Sequence, residues 1–108
     1  MGKKKFAFML MGPAYHSDQH RAHFETDGKD VYIIGVTDFE EAKREAVRMA
    51  DEGFGVIEVC GAFGPEKARA LIEATGGRLG VGYITHFPEQ DELFTAFFAP
   101  QQSDAKTV

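Results

Sequence analysis

The chain has 108 residues, 44% of them apolar and 27% charged, and carries a net charge of −5. That length suits one modest hydrophobic core, and the composition is that of a globular protein rather than a disordered one. The acidic balance excludes a nucleic-acid surface, which needs a basic stripe to neutralise phosphates.

Lys3-Lys4-Lys5 is the one basic cluster, and at the head of a first strand it serves to keep that end soluble. Phe6 to Met11 is a continuous apolar run closed by Gly12-Pro13, which predicts a central strand. The N-terminus lacks a secretory cleavage pattern, and Phe6 stands where a myristoylation signal has Ser or Thr. No stretch reaches the length of a membrane span. Cys60 is the sole cysteine, so no internal disulfide forms and a reducing cytoplasm is the expected location.

Tyr15 to Arg21 is polar and reads as a loop or a single helical turn. Residues 22–26 and 30–36 are extended runs joined by Asp27-Gly28-Lys29, and Asp-Gly between two such runs predicts an antiparallel hairpin. The competing reading makes residues 17–25 a short crossover helix. Thr37-Asp38-Phe39-Glu40 matches a capping box, opening a helix whose apolar stripe is Phe39, Ala42, Ala46, Met49 and Ala50. Gly53 supplies its left-handed stop.

A strand over 55–60 follows, then a glycine loop and a second helix with Pro65 at its first position. The stripe of that helix is Ala68, Leu71, Ile72 and Thr75, and Gly76-Gly77 ends it. Leu79 to Thr85 is a further strand, whose two glycines point to a bend or a close backbone approach. Residues 89–98 form a helix with acids in its first turn and Leu93, Phe94, Phe97 and Phe98 together on one side. Pro100 stops it, and 101–108 reads as a solvated tail after a single domain over 1–100.

The expected fold class is therefore α/β: a small mixed sheet of about five strands, with a βαβαβ core over 31–86, an N-terminal strand plus hairpin, and two or three helices. A ferredoxin-type sandwich with helices on one face is the alternative. Two helices cannot cover both faces of such a sheet, so the aromatic C-terminal helix or a second subunit must, and a homo-oligomer, most simply a dimer, is expected.

Two resemblances arise from these residues. Phe6–Met11, His20-Arg21, the helix start Gly35-Val36-Thr37-Asp38-Phe39-Glu40-Glu41-Ala42 and the strand end Cys60-Gly61-Ala62-Phe63-Gly64 resemble a family of short microbial proteins catalogued as a domain of unknown function (DUF6506-like). That likeness spans about residues 4–86 and implies no activity. Locally, 33–85 resembles the opening βαβαβ of keto-deoxy-phosphogluconate aldolases, which implies an acid/base role for Glu58. The chain is too short for an eight-fold barrel. Gly61-Ala62-Phe63 replaces the arginine expected after that strand, and no lysine lies on a later strand to form a Schiff base. The aldolase likeness thus implies shared βα architecture rather than shared chemistry.

The stretch from Val56 to Glu66 is where a site is expected, because ligands of α/β proteins gather at strand carboxyl ends. Amides of Gly61, Phe63 and Gly64 could cradle an anion with His20 or Arg21 opposite, although Pro65 removes one donor. A tight turn between strand and helix explains the same glycines. Glu58 becomes partly buried and fit for general-base work if both sheet faces are covered; otherwise it lies at an edge or pairs with a base. Cys60 could act as a nucleophile with His86 as its base, or simply pack. His16, His20 and His23 have helical ligand spacing that a strand over 22–26 would disperse, so no metal and no cofactor is expected. The functions expected are binding of a small anionic metabolite, or small lyase, isomerase or hydrolase chemistry at Glu58, Cys60 and His86, or an oligomeric interaction module without catalysis.

Overall fold

Among the described residues, five strands and three helices follow in the order β1 (Lys4–Met11), β2 (Arg21–Glu25), β3 (Lys29–Val36), α1 (Phe39–Asp51), β4 (Val56–Val59), α2 (Gly64–Ala74), β5 (Gly80–Tyr83) and α3 (Asp91–Phe98). A 3-10 turn at Pro88–Gln90 leads into α3. These elements come from a computed structural model that describes residues 3–99. The tail expected at 101–108 lies outside the described residues.

The sheet order is β2-β3-β1-β4-β5. β1 runs parallel to both β3 and β4, β4 is parallel to β5, and β2 pairs antiparallel with β3. The mixed five-stranded α/β fold and the hairpin are as the sequence predicts, and the crossover-helix reading of 17–25 is not realised. Thr26 stabilises the hairpin bend by donating twice, from its amide and its hydroxyl, to the Lys29 carbonyl (2.9 and 3.1 Å).

The position of the helices follows from this strand order. The connection β3-α1-β4 steps over β1, and β4-α2-β5 steps onward in the same direction. Right-handed crossovers that progress in one direction place their helices on one face. α1 and α2 indeed pack against each other, α1 on β1 and β3, α2 on β5. The return from β1 to β3 is the link that could have put a helix on the other face. It is spent on the edge strand β2 instead.

Burial records the same asymmetry. Ala7, Met9, Ile34, Val36, Ile57 and Val59, alternate positions on the three inner strands, are buried under Ala42, Ala46, Met49, Ala68 and Leu71 of the helices. Register puts Phe6, Phe8 and Leu10 of β1 on the opposite face, beside Val31 and Ile33 of β3 and Val56 and Glu58 of β4. None of that set is fully buried.

The start of α1 departs from the sequence expectation by one residue. Asp38, not Thr37, is the N-cap, and its carboxylate accepts from the Glu41 amide at 2.9 Å. Glu41, not Glu40, reaches back, accepting from the Thr37 amide at 2.6 Å. Thr37 instead gives its hydroxyl to the Tyr15 carbonyl, and Glu40 pairs with Lys43 at 3.1 Å. Gly53 closes α1 at φ 88°, in the left-handed region. Of the expected α2 stripe, Ala68, Leu71 and the C-cap residue Thr75 are buried, whereas Ile72 is 38% exposed. Thr75 is satisfied by the Leu71 carbonyl at 2.9 Å.

Candidate functional site

At the carboxyl end of β1 the chain turns sharply back over the sheet. Tyr15 lies flat over Gly35 and Gly12: a Cβ built on Gly35 would stand 2.9 Å from the ring, so only glycine lets the ring settle there. This anchors residues 15–20. The His16 amide donates to His20 Nδ1 at 2.9 Å, and the two imidazoles stack with centroids 6.2 Å apart. Glu41 ties the loop to α1. Its carboxylate accepts from the Thr37 amide, the Ser17 hydroxyl (2.7 Å) and the Ser17 amide (3.4 Å). These donors, the Thr37 amide first, hold its carboxyl down to about 2 from an ordinary 4.5. Glu41 belongs to the helix start at residues 35–42, but the capping-box pattern there points to its neighbour Glu40.

The residues singled out around β4 go to separate places. Glu58 is exposed on the open face, its carboxylate lying along Gly82, where a Cβ would stand 3.7 Å from the carboxyl carbon. Among the described residues nothing encloses it. Cys60 Sγ accepts from the Met11 amide at 3.4 Å, which ties the ends of β4 and β1 together. His86 turns to the C-terminal helix: Nε2 sits 2.6 Å from Asp91 Oδ1, and its ring stacks on Phe94 at 3.8 Å. Among the described residues no hydrogen bond joins Cys60 to His86.

In the glycine loop the Phe63 amide donates to the Cys60 carbonyl at 3.0 Å, and its ring is buried in the core, edge-on to Phe39. Phe63 therefore acts in packing. Gly61 lies against the Ile84 carbonyl and Gly64 takes φ 70° to start α2. Arg21 is on β2, separated from β4 by β3 and β1, a distance of about 14 Å at ordinary strand spacing. The loop 61–64 and Arg21 do not face one another.

Arg21 instead lines a cavity of about 200 Å³ between the β2–β3 edge and the second half of α1, with Tyr32, Ile34, Arg48, Glu52 and Phe54. α1 covers β1 and β3 but stops short of β2, which leaves this space. Arg48 is committed to Glu45 and Glu52, at 2.6 and 2.9 Å. Arg21 donates to the Ser17 carbonyl at 3.0 Å, and among the described residues it is in no ion pair with a carboxylate. Among the described residues no buried side-chain N or O lacks a partner, so polar capacity for a ligand resides in such partly exposed groups.

A second cluster is formed by the β2–β3 hairpin. His23, Glu25 and Asp30 bring one ligand atom each within 4.8 Å of one another, on the helix side of the hairpin. His23 Nε2 is 3.2 Å from Asp30 Oδ1, its ring stacks on Tyr32 at 4.2 Å, and Lys3 approaches Asp30 at 3.9 Å. Pairing of Glu25 with Asp30 and of His23 with Tyr32 across the hairpin was the available signal, once 22–26 is read as a strand. The same strand carries His23 away from His16 and His20, which stay stacked on one another.

Among the described residues no helix is long and apolar enough to cross a membrane. No curated protein and no solved structure matches the chain. A family model described as a family of unknown function (DUF6506) matches residues 4–99, and the chain belongs to that family.

Proposed function

We propose that this protein binds a small anionic metabolite in the cavity between β2–β3 and α1, and works as a homodimer. The observation that carries the reading is Arg21, which lines a 200 Å³ space and, among the described residues, is in no ion pair with a carboxylate. A guanidinium presents a fork of N–H donors that fits a carboxylate or phosphate, and such charge-assisted bonds are the strong ones. Tyr32 and Phe54 supply apolar walls. The volume is below that of drug-sized sites, so the ligand has about ten heavy atoms or fewer. The single cysteine supports a reducing, cytoplasmic setting.

The test is a thermal-shift series with inorganic phosphate, sulfate and small mono- and dicarboxylates, on the wild type and Arg21→Ala. Stabilisation of the wild type by at least one anion, lost in Arg21→Ala, is the expected result; a ligand at 100 times its Kd adds about 2.7 kcal/mol. No shift with any anion, or an equal shift in both proteins, overturns the anion site.

A further inference from the structure

Among the described residues two apolar surfaces have no partner. The first is the open sheet face. Phe6, Phe8, Leu10, Val31 and Ile33 screen one another only in part, while Phe24 is 54% and Val56 42% exposed. At the amino end of this face Phe6, Val31 and Val56 floor a groove of about 670 Å³, and Lys4 and Lys29 stand on its rim. Register pairs those two lysines and puts them on the same face as Phe6 and Val31.

The second surface is α3. Its chief packing partner is its own lead-in turn. Leu93, Phe97 and Phe98 are 66%, 78% and 74% exposed. An eight-residue helix is not stable alone in water, so its apolar side needs a surface to lie on. Leu93, Phe94, Phe97 and Phe98 fall at i, i+1, i+4 and i+5, a single stripe. His86 holds the helix at the exit of β5, through Asp91 and the stacked Phe94, and among the described residues the helix makes no extensive contact with its own sheet.

We infer that α3 of one copy seats on the open sheet face of a second copy, and reciprocally, closing a two-fold dimer. The homodimer is taken from the reading above; the anion site plays no part. Charge complementarity selects the occupant. The start of α3 and its lead-in turn carry Glu89, Asp91 and Glu92, and the groove is rimmed by Lys4 and Lys29. Acids on the lysine rim bring the phenylalanine-rich turns over Phe6, Phe8 and Ile33. Glu58, one strand over from Phe8, keeps the β4 side of the face polar and directs the helix toward β1, β3 and β2. Exchange of identical elements satisfies both surfaces twice, and a self-complementary interface closes without leaving a free end.

Sedimentation velocity and light scattering at micromolar concentration test this on the full chain. The wild type is expected to be a dimer. Phe97→Asp/Phe98→Asp on the helix, and Val56→Asp on the face, each alter exposed positions and should leave the far-UV spectrum unchanged while weakening the dimer about 100-fold, as loss of a buried aromatic anchor does. Mixing the two variants regenerates one intact helix-on-face contact and should restore dimer in the mixture alone. Lys4→Glu/Lys29→Glu should weaken association as well. A monomeric wild type overturns both this interface and the dimer of the preceding reading. A wild-type dimer that survives Phe97→Asp/Phe98→Asp overturns the helix exchange while leaving a dimer in place, and if Val56→Asp alone dissociates it, the sheets pack face to face.

Discussion

Glu41 gives the most direct measure of what joins the β1–β2 loop to the helical layer. Replacing it with Gln keeps the shape and one acceptor oxygen but removes the charge that the Thr37 and Ser17 donors converge on. The fall of its pKa from 4.5 to about 2 sets an upper bound of about 3 kcal/mol at 1.36 kcal/mol per unit. The carboxylate is only partly buried, and solvent screening brings this to about 1–2 kcal/mol. For a domain of this size that lowers Tm by about 5–10 °C. The sign of the pH dependence is set by a depressed folded-state pKa. The contribution is whole above about 4.5, the value in the unfolded chain, and is lost as pH falls toward 2. Urea unfolding of wild type and Glu41→Gln at pH 7, 4.5 and 3 reads this out: the gap between the two proteins should be widest at pH 7 and shrink with acid. Equal stability at pH 7, or a gap that acid leaves unchanged, would refute the reasoning.

Three further outcomes are expected. Gly35→Ala should cost about 1–3 kcal/mol by denaturant unfolding, because the new Cβ would fall 2.9 Å from the Tyr15 ring and push residues 15–20 off the sheet. Asp38→Ala should cost about 1 kcal/mol through loss of the α1 cap, whereas Thr37→Val should leave that cap's bond to the Glu41 amide in place. Phe63→Ala should cost about 3–5 kcal/mol, because the ring is buried, and calorimetry should find anion binding at Arg21 unaltered in any fraction that still folds.

Much of this architecture was legible in the residues. Asp27-Gly28 between two extended runs signalled the hairpin, although neither residue takes the positive φ that this pair favours, and the stripe of Ala42, Ala46 and Met49 specified the face α1 buries. The helix cap was legible only to within one position, since Asp38 and Thr37 are both good caps locally. The loop carbonyl of Tyr15, brought in by the fold, drew Thr37 away. The candidate site was less legible. Residues 56–66 had the pattern of a strand end with open amides, yet Phe63 turned inward to the core and Cys60 toward Met11, both through contacts remote in sequence.

The alternation and helical periodicity of this chain determined by themselves that it forms strands and helices of α/β type, because local burial patterns repeat with the period of the element. What only the tertiary structure decided is which surfaces meet. Strand order put α1 and α2 on one face, left Glu58 on the other, moved Arg21 away from the glycine loop to a cavity beside α1, and gathered His23, Glu25 and Asp30 on one hairpin. Those outcomes depend on crossover direction and strand register, which join residues far apart in the chain and leave no periodic trace in it.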